Sequence, residues 1–445
     1  MKRLFLLLTF GFAAGCATVR HAREAQDEKK IPAGERTVTA AEAGLSTNTV
    51  LTLPRAINVA LRFHPAIVEA RENLAVAEAQ ARETKAGLLP QIGGNAAFRR
   101  ATSKSQGATS GGSPANSYSA GLTANLLLYD FGKTPALVHA ALSRLVAAEN
   151  DLLAAQNTVS FNVRTAFFTL SENIALLQVA EENVRQNEVH LDQSKTLFEV
   201  GKRIRYDITT AEVNLGNAKL ALINAQNAVT TSRATLNRAL GLAEEPGYQL
   251  GESPQAEFDA NLNALMQTAR NQKPELRSLQ AQVLATSANV DAAIANLYPS
   301  FNLTGGLTGG GSHFPLVWNW SAAAQSAATL FDGGIKSGQI MEAVAQLRAA
   351  RARQADEEQQ IYLALSQAVA SLDGAKQRLQ LTELIVRQAA QSLDLVNERF
   401  RLGLATTVDV TDAQASVATA KSQQVQAHFD VLNNIAAIKH TIGEP

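Results

Sequence analysis

The chain has 445 residues, with 40 Lys and Arg against 40 Asp and Glu, so it carries no net charge at neutral pH. Neutrality excludes a general nucleic-acid binder, which needs a basic surface to displace counterions. Only 5% of residues are aromatic, and long stretches rich in Ala, Gln, Leu and Val favour extended helix packing over one large globular core.

The N-terminus reads "MKRLFLLLTFGFAAGCATVR". Lys2 and Arg3 form a positive region, followed by the short apolar run Leu4–Ala14. Residues 1–16 are therefore read as a secretory signal, too short to span a bilayer as a helix. "AAGC" resembles a bacterial lipobox, with Cys16 as the residue to be acylated (the palmitate-bearing end of a lipoprotein). Ala13 departs from the leucine usual there. Cys16 is the only cysteine, so no disulfide forms within the chain. The competing reading is ordinary cleavage near Ala17, with Cys16 discarded. Residues 17–50 are polar and charged and predict an extended tether.

From residue 51 the chain is written twice. Repeat 1, residues 51–241, predicts a helix, a β-hairpin at 91–129 and a long helical hairpin with its tip at 201–206. Residues 242–261 are a linker. Repeat 2, residues 262–445, predicts the same order, with its β-hairpin at 300–331 and its tip at 403–408. Leu53 aligns with Leu262, Pro65 with Pro274 and Pro90 with Pro299, all at an offset of 209. Asp130 aligns with Asp332, Gly201 with Gly403, Asp207 with Asp409 and Gly241 with Gly443, at an offset of 202. The offset changes once, between Pro90 and Asp130, so the helical arms stay in step.

Those arms show coiled-coil spacing. Val163, Phe167, Leu170, Ile174 and Leu177 step by four and three, as do Ala211, Leu215, Ala218, Leu222, Ala225 and Val229 on the returning arm. At ~1.5 Å per residue the span from Gly132 to Gly201 is about 100 Å. Taken alone, the pattern also fits a plain antiparallel coiled-coil protein.

The segments of variable length have a different period. Tyr118, Ala120, Leu122, Ala124, Leu126 and Leu128 alternate with Ser119, Gly121, Thr123 and Asn125. Phe301, Leu303 and Leu307 oppose Asn302, Thr304, Gly306 and Thr308, and Trp318 and Trp320 oppose Asn319, Ser321 and Gln325. "QIGGNAAFRR" is compatible with a fourth strand. Such alternation reads as membrane β-strands, apolar to lipid and polar to a lumen. A soluble hairpin packed on the helices is the competing reading. "SKSQGATSGGSPAN" and "GGGSHF" predict the loops that absorb the change of offset. Four strands cannot close a barrel, and open edges in lipid leave backbone groups unsatisfied. Closed barrels begin at about eight strands, so the count requires copies of the chain to share one.

In this order, the residues resemble the outer-membrane factor family, the TolC-like channels of tripartite efflux pumps and type I secretion systems. The resemblance runs from Leu53 to Gly443. It rests on the paired "ALRFHP"/"ARNQKP", "LLP"/"LYP" and "LYDFG"/"LFDGG" segments and on the two G-x5-D tips. It implies a mainly α chain with membrane β, a homotrimer whose twelve-strand barrel stands on an α-helical tunnel, and a mixed α/β belt near Leu242–Asn261. It also implies residence in the outer membrane, in contact with its lipid and extending into the periplasm. The implied partners are a periplasmic adaptor (membrane fusion) protein and an inner-membrane transporter. The implied function is conduction of small molecules from the periplasm to the exterior. An exit duct for type I protein secretion and a non-conducting periplasmic spacer are the alternatives. No enzyme activity, cofactor or nucleic acid is implied. The seven histidines show no metal-ligand spacing, and "GGLTGGG" lacks the Lys-Ser/Thr of a phosphate loop.

The resemblance assigns roles at the two tips. Gly201 and Gly403 allow tight helix-to-helix turns, and with Lys202, Arg203 and Leu404 they are expected to dock the adaptor. Asp409 and Asp412, with Asp207 as the first-repeat counterpart, are expected to form the pore gate. Stacked carboxylate rings would attract cations and raise one another's pKa. Equally, Thr406 and Asp409 fit a capping box. The family's Tyr and Arg latch is replaced here by Phe400 and Ala405. The basic first tip, Lys202, Arg203 and Arg205, is open to three readings: inter-helix ion pairs, contact with an acidic adaptor, or simple solvation.

Overall fold

The computed structural model describes residues 50–102, 115–243, 246–251, 258 and 260–444, with a few isolated positions before residue 50. The signal segment with Cys16, nearly all of the tether, and residues 103–114 of the first loop lie outside the described residues. In chain order the elements are β1 (Val50–Leu51), α1 (Leu53–Phe63), α2 (Pro65–Ala86), β2 (Gln91–Ala101), β3 (Ala115–Tyr129), α3 (Lys133–Glu199) and α4 (Arg205–Leu240). Then follow β4 (Gln249–Leu250), α5 (Leu262–Gln272), α6 (Pro274–Ala295), β5 (Ser300–Gly311), β6 (Val317–Ala327), α7 (Ile335–Arg401) and α8 (Thr407–Ile442).

The repeat is kept to the residue. Helices α3 and α7 both have 67 residues, α4 and α8 both 36, and α2 and α6 both 22. Pro65 and Pro274 open α2 and α6, where a missing N–H costs nothing. Each forces the residue before it, His64 or Lys273, into extended backbone, which breaks the preceding helix. Gly241 and Gly443 end α4 and α8 at φ of 79° and 89°. A β-carbon on Gly241 would lie 2.9 Å from the His64 α-carbon, and one on Gly443 would lie 2.8 Å from that of Lys273. Each long hairpin therefore closes its far end directly on the proline break of its own repeat.

The apolar core sits at this waist. Val163, Phe167 and Leu170 of α3 are buried with Leu236 and Leu240 of α4, Leu51, Tyr248 and Phe429. Leu265, Ile361, Leu365, Leu372 and Ile438 form the repeat-2 counterpart. Each such side chain contributes about 1.5–3 kcal/mol on burial. Within the expected linker, β4 pairs in parallel with β1. Val50, read as the last tether residue, is thus a strand residue. Tyr248 fixes the crossing by donating its hydroxyl to Asn237 Oδ1 at 2.8 Å. No described helix carries an apolar run able to cross a membrane.

The four long strands form one antiparallel sheet in the order β2-β3-β5-β6. Its register sorts the side chains into two faces. On one, Ile92, Ala96 and Phe98 lie level with Ala124, Ala120 and Tyr118. Leu122 and Leu126 face Leu307 and Leu303, and these two pair with Trp320 and Ala324. The other face carries Gln91, Asn95, Arg99, Ser119, Thr123, Asn125, Thr304, Thr308, Asn319, Ser321 and Gln325. The alternation expected through Leu128 stops earlier. The register shifts between Leu127 and Tyr129, which leaves Leu128 outside the ladder and brings Tyr129 opposite Phe301. Gly309–Gly311, read as loop, extend β5 instead, because Trp318 packs over the bare Gly309 backbone.

Aromatic rings gather at both ends of this sheet. Phe98, Tyr118 and Phe314 pack in sequence as tilted rings at the loop end, and at the helix end Phe131 packs tilted against Tyr129 and stacks on Tyr298. The outer strands β2 and β6 are exposed along their whole length.

Candidate functional site at the hairpin tips

Both tips are built the same way. Gly201 has φ of 72°. Its N–H donates to the Phe198 carbonyl, and that of Lys202 to the Leu197 carbonyl, both at 2.9 Å. Gly403, at φ 78°, repeats this with Phe400 and Arg399 at 3.0 and 2.8 Å. These are paired helix stops that satisfy the last carbonyls through a left-handed glycine. A β-carbon at either glycine would meet nothing within 4 Å, so backbone conformation alone demands glycine there.

The helices restart differently. Helix α8 begins with a full capping box: Asp409 N–H donates to Thr406 Oγ1, and Asp409 Oδ2 accepts from the Thr406 N–H at 2.7 Å. Helix α4 has no such cap. Its Asp207 instead accepts a hydrogen bond from Thr407 Oγ1 of the other tip at 2.9 Å. Asp207 and Asp409 therefore occupy equivalent positions but different roles: one ties tip to tip, the other ties a helix to its own start. Asp409 and Asp412 are both exposed on α8. The hydrogen bonds from Thr406 hold the Asp409 carboxyl below its ordinary range. This is the opposite direction to the one expected of a carboxylate ring.

Arg203 joins the two tips. Its Nη2 donates to the Ala405 carbonyl at 2.7 Å, and its guanidinium carbon lies 4.4 Å from the centre of the Phe400 ring. Simple solvation does not describe this residue. Lys202 and Arg205 do remain exposed. Phe400, 2% exposed, forms a small core with Ala405 and Val410, against Leu197 and Val396. The two residues that replace the latch are thus the floor on which Arg203 rests.

Sequence reasoning missed two features. One is apolar exposure around the turns beyond the expected Leu404: Val200, Ile204 and Tyr206 on the first tip and Leu402 on the second, each more than half exposed. Apolar residues flanking a glycine in an otherwise polar stretch were the available signal. The other is the stripe Val184, Asn187, His190 and Ser194, which is buried and stepped by threes and fours but largely polar. Among the described residues no group of His, Cys, Asp and Glu could hold a metal ion.

Comparison with known proteins places this geometry. The family model described as "Outer membrane efflux protein" matches residues 56–242 and 265–444. The outer membrane efflux protein BepC of Brucella suis biovar 1 is 25% identical over 422 residues, covering 92% of this chain and 88% of that one. The solvent efflux pump outer membrane protein SrpC of Pseudomonas putida is 23% identical, over 88% of this chain and 85% of its own. Among solved structures, the CmeC outer membrane channel of Campylobacter jejuni superposes with a TM-score of 0.80 at 19% identity, covering 88% of this chain and 85% of that one. The open state of the MtrE outer membrane channel of Neisseria gonorrhoeae gives 0.78 at 21% identity, covering 88% and 89%.

Proposed function

The chain belongs to the outer membrane efflux protein family, and we propose that three copies form the outer-membrane duct of a tripartite efflux pump, conducting small molecules outward from the periplasm. The observation that carries this reading is the sheet. One face is apolar from Ile92 to Trp320, and its two edges, β2 and β6, are unpaired. In lipid those edges must be satisfied. Because the four strands are all antiparallel, β6 of one copy can pair antiparallel with β2 of the next, and three copies give a closed ring of twelve.

The dimensions support the same reading. Tyr118 and Tyr129 lie at opposite ends of β3. At ~3.3 Å per residue they are roughly 36 Å apart along the strand. A tilt of ~40° reduces this to about 28 Å of height, near the ~25 Å apolar band of outer-membrane barrels with aromatic girdles at both rims. A non-conducting spacer has no use for such a face.

The tips supply the other end of the duct. Gly201, Lys202, Arg203, Gly403 and Leu404, with the exposed Val200 and Leu402, offer a mixed apolar and cationic surface for a periplasmic adaptor hairpin. An inner-membrane transporter would engage through that adaptor. Asp409 and Asp412 of three copies would line the narrow mouth as a cation-attracting ring. Asp207, engaged by Thr407, would act as a tie and not as a member of the ring. Cys16 would carry a lipid anchor, detectable as the added acyl mass on the mature N-terminus.

The test is the native mass of the detergent-extracted protein, with low-resolution images of the same particles. Three chains in a hollow rod with a barrel at one end support the proposal. A monomer, or a solid two-chain rod needing no detergent, overturns it.

A further inference from the structure

His190 lies on α3, and the side chain is 2% exposed. Neither Nδ1 nor Nε2 has a hydrogen-bond partner. The imidazole packs 5.2 Å from the Phe400 ring, centre to centre. That same ring carries the Arg203 guanidinium. Beside it opens a cleft of about 540 Å³ between α3, α7 and α8. The charges acting on the imidazole are Asp207 on α4 and Arg203 in the first tip; the adjoining cleft is lined further by Asp394 and Arg401 on α7 and by Glu182 and Arg185 on α3. Helix α8 contributes only the uncharged Gln414.

We propose that His190 is a proton-operated pin beneath the contact that joins the two hairpin tips. Neutral, it fills the space under Phe400 and lets Arg203 and Asp207 close the tips together. Protonated, the imidazolium needs water or an acceptor, and the closed arrangement offers it neither. It would also stand beside a second cation sharing the same aromatic ring. Protonation therefore favours the arrangement in which Phe400 lifts and the neighbouring cleft hydrates the ring.

The direction with pH follows from linkage. Burial holds the His190 pKa below its ordinary value, a pull that Asp207 partly offsets and Arg203 reinforces. In separated tips the ring returns to about 6.5. A group whose pKa is depressed in the closed state stabilises closure fully above about 6.5, and the contribution falls as pH drops below that. Acid opens the contact.

The pin rests on the proposed duct only for its consequence, so the test reads the two separately. Amide hydrogen exchange of segments 196–210 and 398–412 is followed in the full-length, detergent-extracted protein between pH 7.5 and 5.5, corrected for intrinsic rates. Exchange in both segments should accelerate severalfold as pH falls through 6.5. His190→Phe, which keeps an aromatic ring but cannot take a proton, should abolish the acceleration. Should that variant not fold, His190→Gln serves, again with a flat profile. A flat profile in the unaltered protein, or an unchanged response in the variants, overturns the pin. Conductance in planar bilayers is measured on the same samples. A pH response in exchange with none in conductance retains the pin and removes the tips as the closing gate.

Discussion

Arg203 and Phe400 come from opposite repeats, yet the guanidinium carbon of one lies 4.4 Å from the ring centre of the other. A cation over an aromatic face contributes about 0.5–2 kcal/mol according to its desolvation. The bond to the Ala405 carbonyl at 2.7 Å adds to it. Arg203→Ala should loosen the contact between the tips by about 1–3 kcal/mol. Amide protection at residues 400–406 should fall, and the spontaneous open probability of single channels should rise. Arg203→Lys should recover only part of this, since ammonium lacks the planar fork. Unchanged protection in Arg203→Ala would show that the contact holds nothing.

The two aspartates of the second tip should separate under mutation. On the proposed role of these carboxylates as a cation-attracting ring, Asp409→Asn and Asp412→Asn each remove one charge from it, so both should weaken block of the channel by polyvalent cations. Only Asp409→Asn breaks the capping box, so only it should increase exchange in the first turn of α8. The cap also has a sign in pH. Hydrogen bonds lower the Asp409 pKa, so its support for α8 is present above the ordinary carboxylate value and is lost as pH falls through the lowered one. Equal exchange in the two variants would remove the distinction.

Four glycines end the long helices, but they should not be equally replaceable. Gly403→Ala meets open space and bears only the left-handed backbone, roughly 1–2 kcal/mol. Gly443→Ala adds a collision with the Lys273 backbone at 2.8 Å and should lower the melting temperature distinctly further. Calorimetry of the two variants under one set of conditions reads the difference.

The two faces of the sheet give a third contrast. Leu122→Arg, at the centre of the apolar face opposite Leu307, should cost about 2–4 kcal/mol in a bilayer. Trimer recovered from the outer-membrane fraction should drop accordingly. Thr304→Arg, on the polar face, should assemble normally. Equal recovery would mean that the apolar face does not meet lipid.

Much of this architecture was readable in the residues because it is written in periodicity. Steps of three and four gave the arms, alternation gave the strands, and the aligned prolines and glycines gave their ends. What stayed hidden depends on contacts between distant segments. The pairing of Gln249–Leu250 with Val50–Leu51 involves two residues on each side, too few for a pattern. The bulge at Leu128 is set by where Tyr129 must meet Phe301. At the tips, both turns and the capping box followed from local sequence. The bridge from Arg203 to Phe400 did not, because its partners are 197 positions apart. His190 escaped notice because the buried stripe it belongs to, though stepped by threes and fours, is largely polar, so no apolar pattern marked it.

The matched helix lengths limit how such a chain can change. A single residue inserted into α3 would turn everything beyond it by about 100° and advance it ~1.5 Å. Arg203 would then miss Phe400, and the sheet end would lose step with its twin. Insertions survive only when all four long arms accept them together, in multiples that restore the packing stripe. The reach of this molecule across its compartment is therefore a nearly fixed heritage. Variation is diverted to the β-hairpin segments between Pro90 and Asp130 and between Pro299 and Asp332, where the two halves already differ in length.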